Sequence, residues 1–137
     1  MSATNPSIEP TQVQLERLAA SGEEGPVMMI NLIRFKERAD GIDADDGITG
    51  AEAYARYGAA LQPYLQGVRG RVLLGGAATE SVIGPEEGEW DAVFVAEYPS
   101  RKAFLEMTSD PGYLEAHRHR AAGVADSRLI ACRPLFR

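Results

Sequence analysis

Apolar side chains recur along this chain in two periods, and each change of period marks a change of element. Thr11 followed by Gln14 has capping-box spacing, and Leu15 and Leu18 add a thin apolar stripe, so residues 11–20 are predicted as a short helix. "SGEEGP" breaks it. The next run, "VMMINLIRF" from Val27 to Phe35, is apolar at almost every step and predicts the first strand. "KERADGIDADDGI" is polar, acidic and punctuated by glycine, which predicts a solvated loop. Thr49 and Glu52 form a second capping box, opening a helix through about Gln66 with Tyr57, Leu61, Tyr64 and Leu65 toward the core. Pro63 cannot donate to the Ala59 carbonyl and clashes with it, so a kink or an end is expected near Leu61.

Residues 70–83 read as a second strand, in which "LGGAA" suggests a bulge or a close backbone approach. Residues 90–98 read as a third, with Trp90, Ala92, Phe94 and Ala96 on one face. Pro99 stops it, Ser100 caps a helix carrying Ala103, Phe104 and Met107, and Asp110 with Pro111 starts another. Residues 128–135 are expected as the last strand. The order is a helix followed by βαββα(α)β, the ferredoxin-like split arrangement: an α+β fold with a four-stranded antiparallel sheet and helices on one face. Residues 1–25 form an N-terminal extension with a short helix, and residues 26–137 a single ferredoxin-like domain. The first and third strands are apolar on both faces, whereas a sheet with one wet face should alternate. A second copy packed sheet to sheet, a homodimer, would cover the other face.

Composition narrows the partners. The chain has 137 residues, enough for one domain with a real core, and 14 Lys and Arg against 20 Asp and Glu give a net charge of −6. That balance disfavours nucleic acid and anionic membranes, which need clustered cations. Cys132 is the only cysteine, so no intrachain disulfide forms. No signal-like or membrane-spanning apolar run occurs, and a cytoplasmic protein is expected.

Five segments, "MMINLIRF", "GAEAYARYG", "IGPEEGEWD", "YPSRKAFLEM" and "DPGYLEAHRHRAA", together resemble the domain-of-unknown-function family 1330 of the dimeric α+β barrel superfamily. The resemblance implies a dimer with a cavity beside the sheet and extends to His119 and Arg120, but it carries no established reaction. Relatives in the superfamily include cofactor-free monooxygenases, isomerases and haem enzymes, so no single activity transfers. The N-terminal helix and the acidic insertion at residues 40–47 depart from the shorter members.

Asn31 shares a strand face with Val27, Met29 and Ile33, and Arg34 shares the other with Met28, Ile30 and Leu32. A buried amide without partners costs about 1–3 kcal/mol, so Asn31 either ties down backbone or orients a ligand. Trp90 packs with Phe94 or forms a pocket wall, and Asp91 points the other way, toward an arginine. His117 and His119 diverge on their helix and cannot share a metal. His117 is expected on a face with Leu114, Ala121 and Val124, and His119 beside Glu115, as a surface ion pair or an acid/base unit. The acidic cluster lacks the EF-hand pattern, no phosphate-binding loop or nucleophile elbow is present, and neither metal nor cofactor is expected. The resulting expectation is a protein that binds, and without cofactor transforms, a small, partly apolar organic molecule. Asn31, Tyr54, Tyr57 and Trp90 would hold it, and His119 with Arg120 would move protons or stabilise an anion. The alternative is a non-catalytic dimeric module, structural or ligand-sensing.

Overall fold

The computed structural model describes residues 6–41 and 47–136, so Asp43, Asp45 and Asp46 of the acidic insertion lie outside the described residues. In chain order the elements are α1 (Gln12–Ala19), β1 (Val27–Phe35), α2 (Gly50–Gly67), β2 (Arg71–Ala77), β3 (Ala92–Tyr98), α3 (Arg101–Ser109), α4 (Pro111–Gly123) and β4 (Val124–Cys132). The four strands form one sheet in the order β2-β3-β1-β4, every pair antiparallel, which is the ferredoxin-like α+β topology. The helix starts are written in the sequence. Thr11 and Gln14, and again Thr49 and Glu52, make reciprocal capping boxes, while Ser100 and Asp110 accept from Ala103 N and Gly112 N.

Val27, Met29 and Ile33 of β1 face the helices and join Tyr54, Tyr57 and Leu65 of α2, Met107 of α3, and Tyr113 of α4 in one core. Met28, Ile30 and Leu32 point to the opposite face. There they are flanked by Val93 and Val95 of β3, Leu74 of β2 and Ile130 of β4, so that face is apolar too. Among the described residues no helix is long and apolar enough to cross a membrane.

Four boundaries differ from expectation, each for a local reason. The second helix does not end at Leu61: it runs to Gly67 with Pro63 inside. Ala59 and Pro63 are both exposed, so the carbonyl that Pro63 leaves bare can face water, which lowers the cost of the missing bond. The second strand stops at Ala77, and Val82 and Ile83, which look strand-like, are 91% and 97% exposed. The expected irregularity is present: the register shifts between Val72 and Leu74, and a Cβ on Gly75 would lie 2.8 Å from the Phe94 ring. The third strand begins at Ala92, two residues after Trp90, and the last begins at Val124 and ends at Cys132. Ala125, Asp126 and Ser127 have little strand propensity. Pairing of Asp126 and Ser127 with Arg34 and Ile33 overrides it.

One junction sets the spacing of the helices. Lys36, just past β1, donates its N–H to Gly123 O at 2.8 Å and accepts from Gly50 N at 3.1 Å, tying the end of α4 and the start of α2 to the same residue. A Cβ on Gly50 would meet Lys36 N at 2.7 Å and Gly123 O at 2.6 Å, all backbone atoms that cannot swing away. Only glycine fits there. Gly50→Ala is therefore expected to destabilise the chain by about 2–4 kcal/mol, more than Gly58→Ala, where an added Cβ would meet no atom within 4 Å, read from urea unfolding midpoints at unchanged m-value.

Candidate functional site

The polar residue in the middle of β1 finds its partner across the seam between sheet and helices. Asn31, flanked by Met29 and Ile33 on the inner face, donates from Nδ2 to the Tyr54 hydroxyl at 3.1 Å. Its Oδ1 is buried and accepts no hydrogen bond from the described residues. Tyr54 stacks on Phe94 at 5.3 Å and 23°, and touches Phe35 at 5.6 Å and Tyr57 at 5.3 Å, so the amide lies among rings.

Arg120 reaches the same place from α4. Its residue is only 6% exposed, with the guanidinium within hydrogen-bonding reach of the Tyr54 hydroxyl. Nη1 donates to Ile8 O at 2.8 Å and Nη2 to Ser127 Oγ at 3.2 Å. All of these acceptors are neutral. A charge removed from water and left without a counter-charge is costly, and functional sites are where such costs concentrate. Burial pushes the Tyr54 phenol up to about 12, with the Arg120 charge opposing the rise.

A second string of polar groups runs beside the first. The hydroxyls of Tyr57 and Tyr113 lie 3.0 Å apart, and Tyr113 OH is 3.4 Å from His117 Nδ1. His117 Nε2 meets Glu9 Oε1 at 2.5 Å. A carboxylate only accepts, so Nε2 carries a hydrogen, and in the neutral ring Nδ1 then accepts from Tyr113. Burial raises the phenols of Tyr57 and Tyr113 as well. The arrangement therefore offers buried donors, a permanent positive charge and a histidine that can relay a proton, all against aromatic walls.

The structure brings Asn31, Tyr54, Tyr57 and Arg120 together, and it puts His119 and Trp90 elsewhere. His119 is half-buried on the flank of α4, where it lines an open depression of ≈ 320 Å³ with Tyr64 and Glu115. Another depression, ≈ 270 Å³, is lined by Asp40, Arg118, Ala121 and Ala122. Trp90 does not share a face with Phe94, because it precedes β3 and the strand alternation does not extend to it. It lies instead under two guanidinium groups, Arg34 at 5.8 Å and Arg128 at 5.2 Å. Asp91 accepts from Phe35 N at 2.8 Å, where the β1–β4 register shifts, rather than from an arginine. Leu114, expected beside His117 on the core face, is 52% exposed. The inward stripe of α4 is Tyr113, Ala116, His117 and Arg120, positions i, i+3, i+4 and i+7, and that spacing is the signal that would have placed His117 and Arg120 together. Residues 7–9, in the N-terminal extension, contribute Ser7, Ile8 and Glu9. Among the described residues no three His, Cys, Asp or Glu side chains converge to hold a metal ion.

The family profile of DUF1330, a domain of unknown function, matches residues 44–132, and the chain belongs to that family. The RPA0582 protein of unknown function from Rhodopseudomonas palustris is 45% identical, with a TM-score of 0.88 over 98% of this chain and 100% of that one. A structure of methylated RPA0582 protein gives 44% identity and a TM-score of 0.89, covering 97% of this chain and 98% of that one. A dimeric ferredoxin-like protein of unknown function from Thermobifida fusca shares the fold at 19% identity, with a TM-score of 0.53 over 80% of this chain and 92% of that one. No curated protein matches the chain.

The tyrosine cluster makes alkaline stability a readout of the site. A phenol whose folded pKa is raised stabilises the fold fully below the ordinary value of 10.0, and that contribution is lost as pH rises from there toward about 12 for Tyr54. Tyrosinate absorbance at about pH 10.5 should thus fall short of all five tyrosines and reach full amplitude only with unfolding followed by circular dichroism.

Proposed function

We propose that this chain is a homodimer whose protomers each bind a small, partly apolar organic molecule where Asn31, Tyr54 and Arg120 meet. The observation that carries the reading is the pairing of two demands in one buried place that the described residues do not meet: among them Asn31 Oδ1 finds no donor, and Arg120 is given neutral acceptors. Folding alone gains nothing from leaving both. A molecule with a hydroxyl or amide donor at one end and negative charge at the other would meet them, while Tyr54, Tyr57 and Phe35 accept its apolar body. Were the molecule transformed, Tyr113 and His117 are the groups able to pass a proton without a cofactor.

The dimer follows from the apolar outer face of the sheet. Met28, Ile30, Leu32, Val93, Val95 and Ile130 lie on neighbouring strands there, opposite the face that the core helices cover. A second copy is the economical cover, and the Thermobifida fusca protein of this fold is described as dimeric. One observation favours a second reading, a non-catalytic dimer: the depressions of ≈ 270 and ≈ 320 Å³ lie on the surface, away from Asn31.

One experiment separates these readings, and a second tests the dimer that both assume. Asn31→Leu removes the unmet acceptor along with one donor to Tyr54, which keeps Arg120 as a partner, so its melting temperature should equal or exceed the parent's. Stabilisation by any hit from a thermal-shift screen of small hydroxylated acids, phenols and amides should shrink; a variant melting far below the parent would favour the structural role. Light scattering should give twice 14.8 kDa, and Ile30→Glu, a charge placed in an interface of about 1,200–2,000 Å², should give the monomer.

A further inference from the structure

Residues 7–9 lie across the Arg120 end of the site and are held by the site's own donors. Ser127 Oγ donates to Ser7 O at 2.6 Å, Arg120 Nη1 donates to Ile8 O at 2.8 Å, and Glu9 Oε1 takes His117 Nε2 at 2.5 Å. Ser7 N returns one bond, to Asp126 Oδ1 at 2.8 Å, and the Ile8 side chain packs on the core cluster. Little else anchors the segment. Helix α1, which follows it, has no buried residue, packs Leu18 on the core and borders α3, and an exposed Glu23–Arg133 pair at 2.7 Å adds a tether. Such a segment opens at low free energy compared with the sheet.

What the segment presents is specific. Toward Arg120, Ser127 and His117 it offers three oxygen acceptors in a row, one of them a carboxylate, and an aliphatic side chain toward the rings. It brings no cation and gives no donor to those three groups. Arg120 is left with neutral acceptors at its planar fork, whereas a free carboxylate would match that fork with two oxygens and supply the missing charge. An amide of the same shape would turn an N–H₂ against donors and forfeit both gains.

We infer that residues 7–9 are an internal occupant of a carboxylate site: an aromatic or branched carboxylate binds Arg120 by displacing this strap, its ring taking the place of Ile8. The inference rests on the reading of Asn31, Tyr54 and Arg120 as a ligand site, and adds to it the chemical class of the ligand and the segment that competes with it. The strap lowers apparent affinity by the fraction of molecules in which it is seated.

The test uses the full chain and para-hydroxybenzoate, which carries a carboxylate for Arg120 and a hydroxyl donor for Asn31, with para-hydroxybenzamide as the neutral match. Calorimetry measures affinity, and hydrogen exchange followed by mass spectrometry measures protection of the strap. The acid should speed exchange at residues 6–10 of the parent chain. It should bind the loosened double variant Ile8→Gly with Glu9→Gln about tenfold tighter than the parent, while the amide does neither. Arg120→Gln in the loosened background should abolish acid binding. If that variant fails to fold, Arg120→Lys keeps the charge but loses the fork and should weaken the acid about tenfold. Equal binding of acid to parent and loosened chains, with strap exchange unchanged, overturns the inference and leaves the ligand site standing. Amide bound as tightly as acid overturns the carboxylate assignment. No binding of either probe to a loosened variant that circular dichroism shows to be folded overturns it too, while the wider screen with Asn31→Leu still decides whether the site takes another ligand.

Discussion

The contact on which the rest depends is the backbone junction of Gly50, Lys36 and Gly123. Lys36 hydrogen-bonds both glycines, and no side chain intervenes, so the start of α2 and the end of α4 are pinned to the end of β1 at backbone distance. Tyr54 follows Gly50 by about one helical turn, and Arg120 precedes Gly123 by about one turn. Helices pinned at that spacing bring the phenol and the guanidinium together over Asn31, which lies four residues before Phe35 on the same strand. A methyl group at the junction would push the helices apart where their side chains meet. The small residues thus position the polar side chains that meet over Asn31.

The site that results is energetically mixed. Ring contacts among Phe35, Tyr54, Tyr57 and Phe94 are favourable and rigid, as in any core. The polar atoms threaded through them are less settled: among the described residues Tyr54 accepts from Asn31, Arg120 is given neutral acceptors, and Asn31 Oδ1 finds no donor. An apolar replacement of the whole set would cost the fold little. On the proposed reading they are positioned for a ligand, with the backbone of residues 7–9 meeting part of the demand meanwhile.

Much of this was legible in the sequence because it rests on local rules. The capping residues, the apolar run of β1 and the bulge near "LGG" are all recovered where propensity and turn chemistry act alone. Boundaries failed where tertiary pairing overrides propensity, as at Val124, or where apolarity is unrelated to burial, as at Val82 and Ile83. In the site, the structure brings Asn31, Tyr54, Tyr57 and Arg120 together, whereas His119, expected to act with Arg120, lies on another flank of α4. On a helix, adjacent residues diverge by about 100°, and it is His117, three residues before Arg120, that shares its face. The strap was illegible for a different reason: Ser7 and Ile8 meet Ser127 and Arg120 through backbone carbonyls, which every sequence has.

Strand β1 carries both proposed roles because its side chains alternate. Asn31 faces the helices and the ring cluster, while Ile30 and Leu32 beside it face the apolar side offered to a second copy. Arg34, the other polar residue in the run, also lies on that side, at its margin, where its Nε donates to Glu89 O at 2.9 Å and its guanidinium covers Trp90. The two polar interruptions therefore serve opposite surfaces. Because successive residues of one strand are covalently fixed to one another, packing on the outer face restrains the backbone from which Asn31 projects. A partner seated on Ile30 and Leu32 would hold the amide still without touching it, and an orienting group gains selectivity from being held still. Burial on both faces, which the first strand's composition demands, would thus serve the proposed inner site as directly as it would serve association.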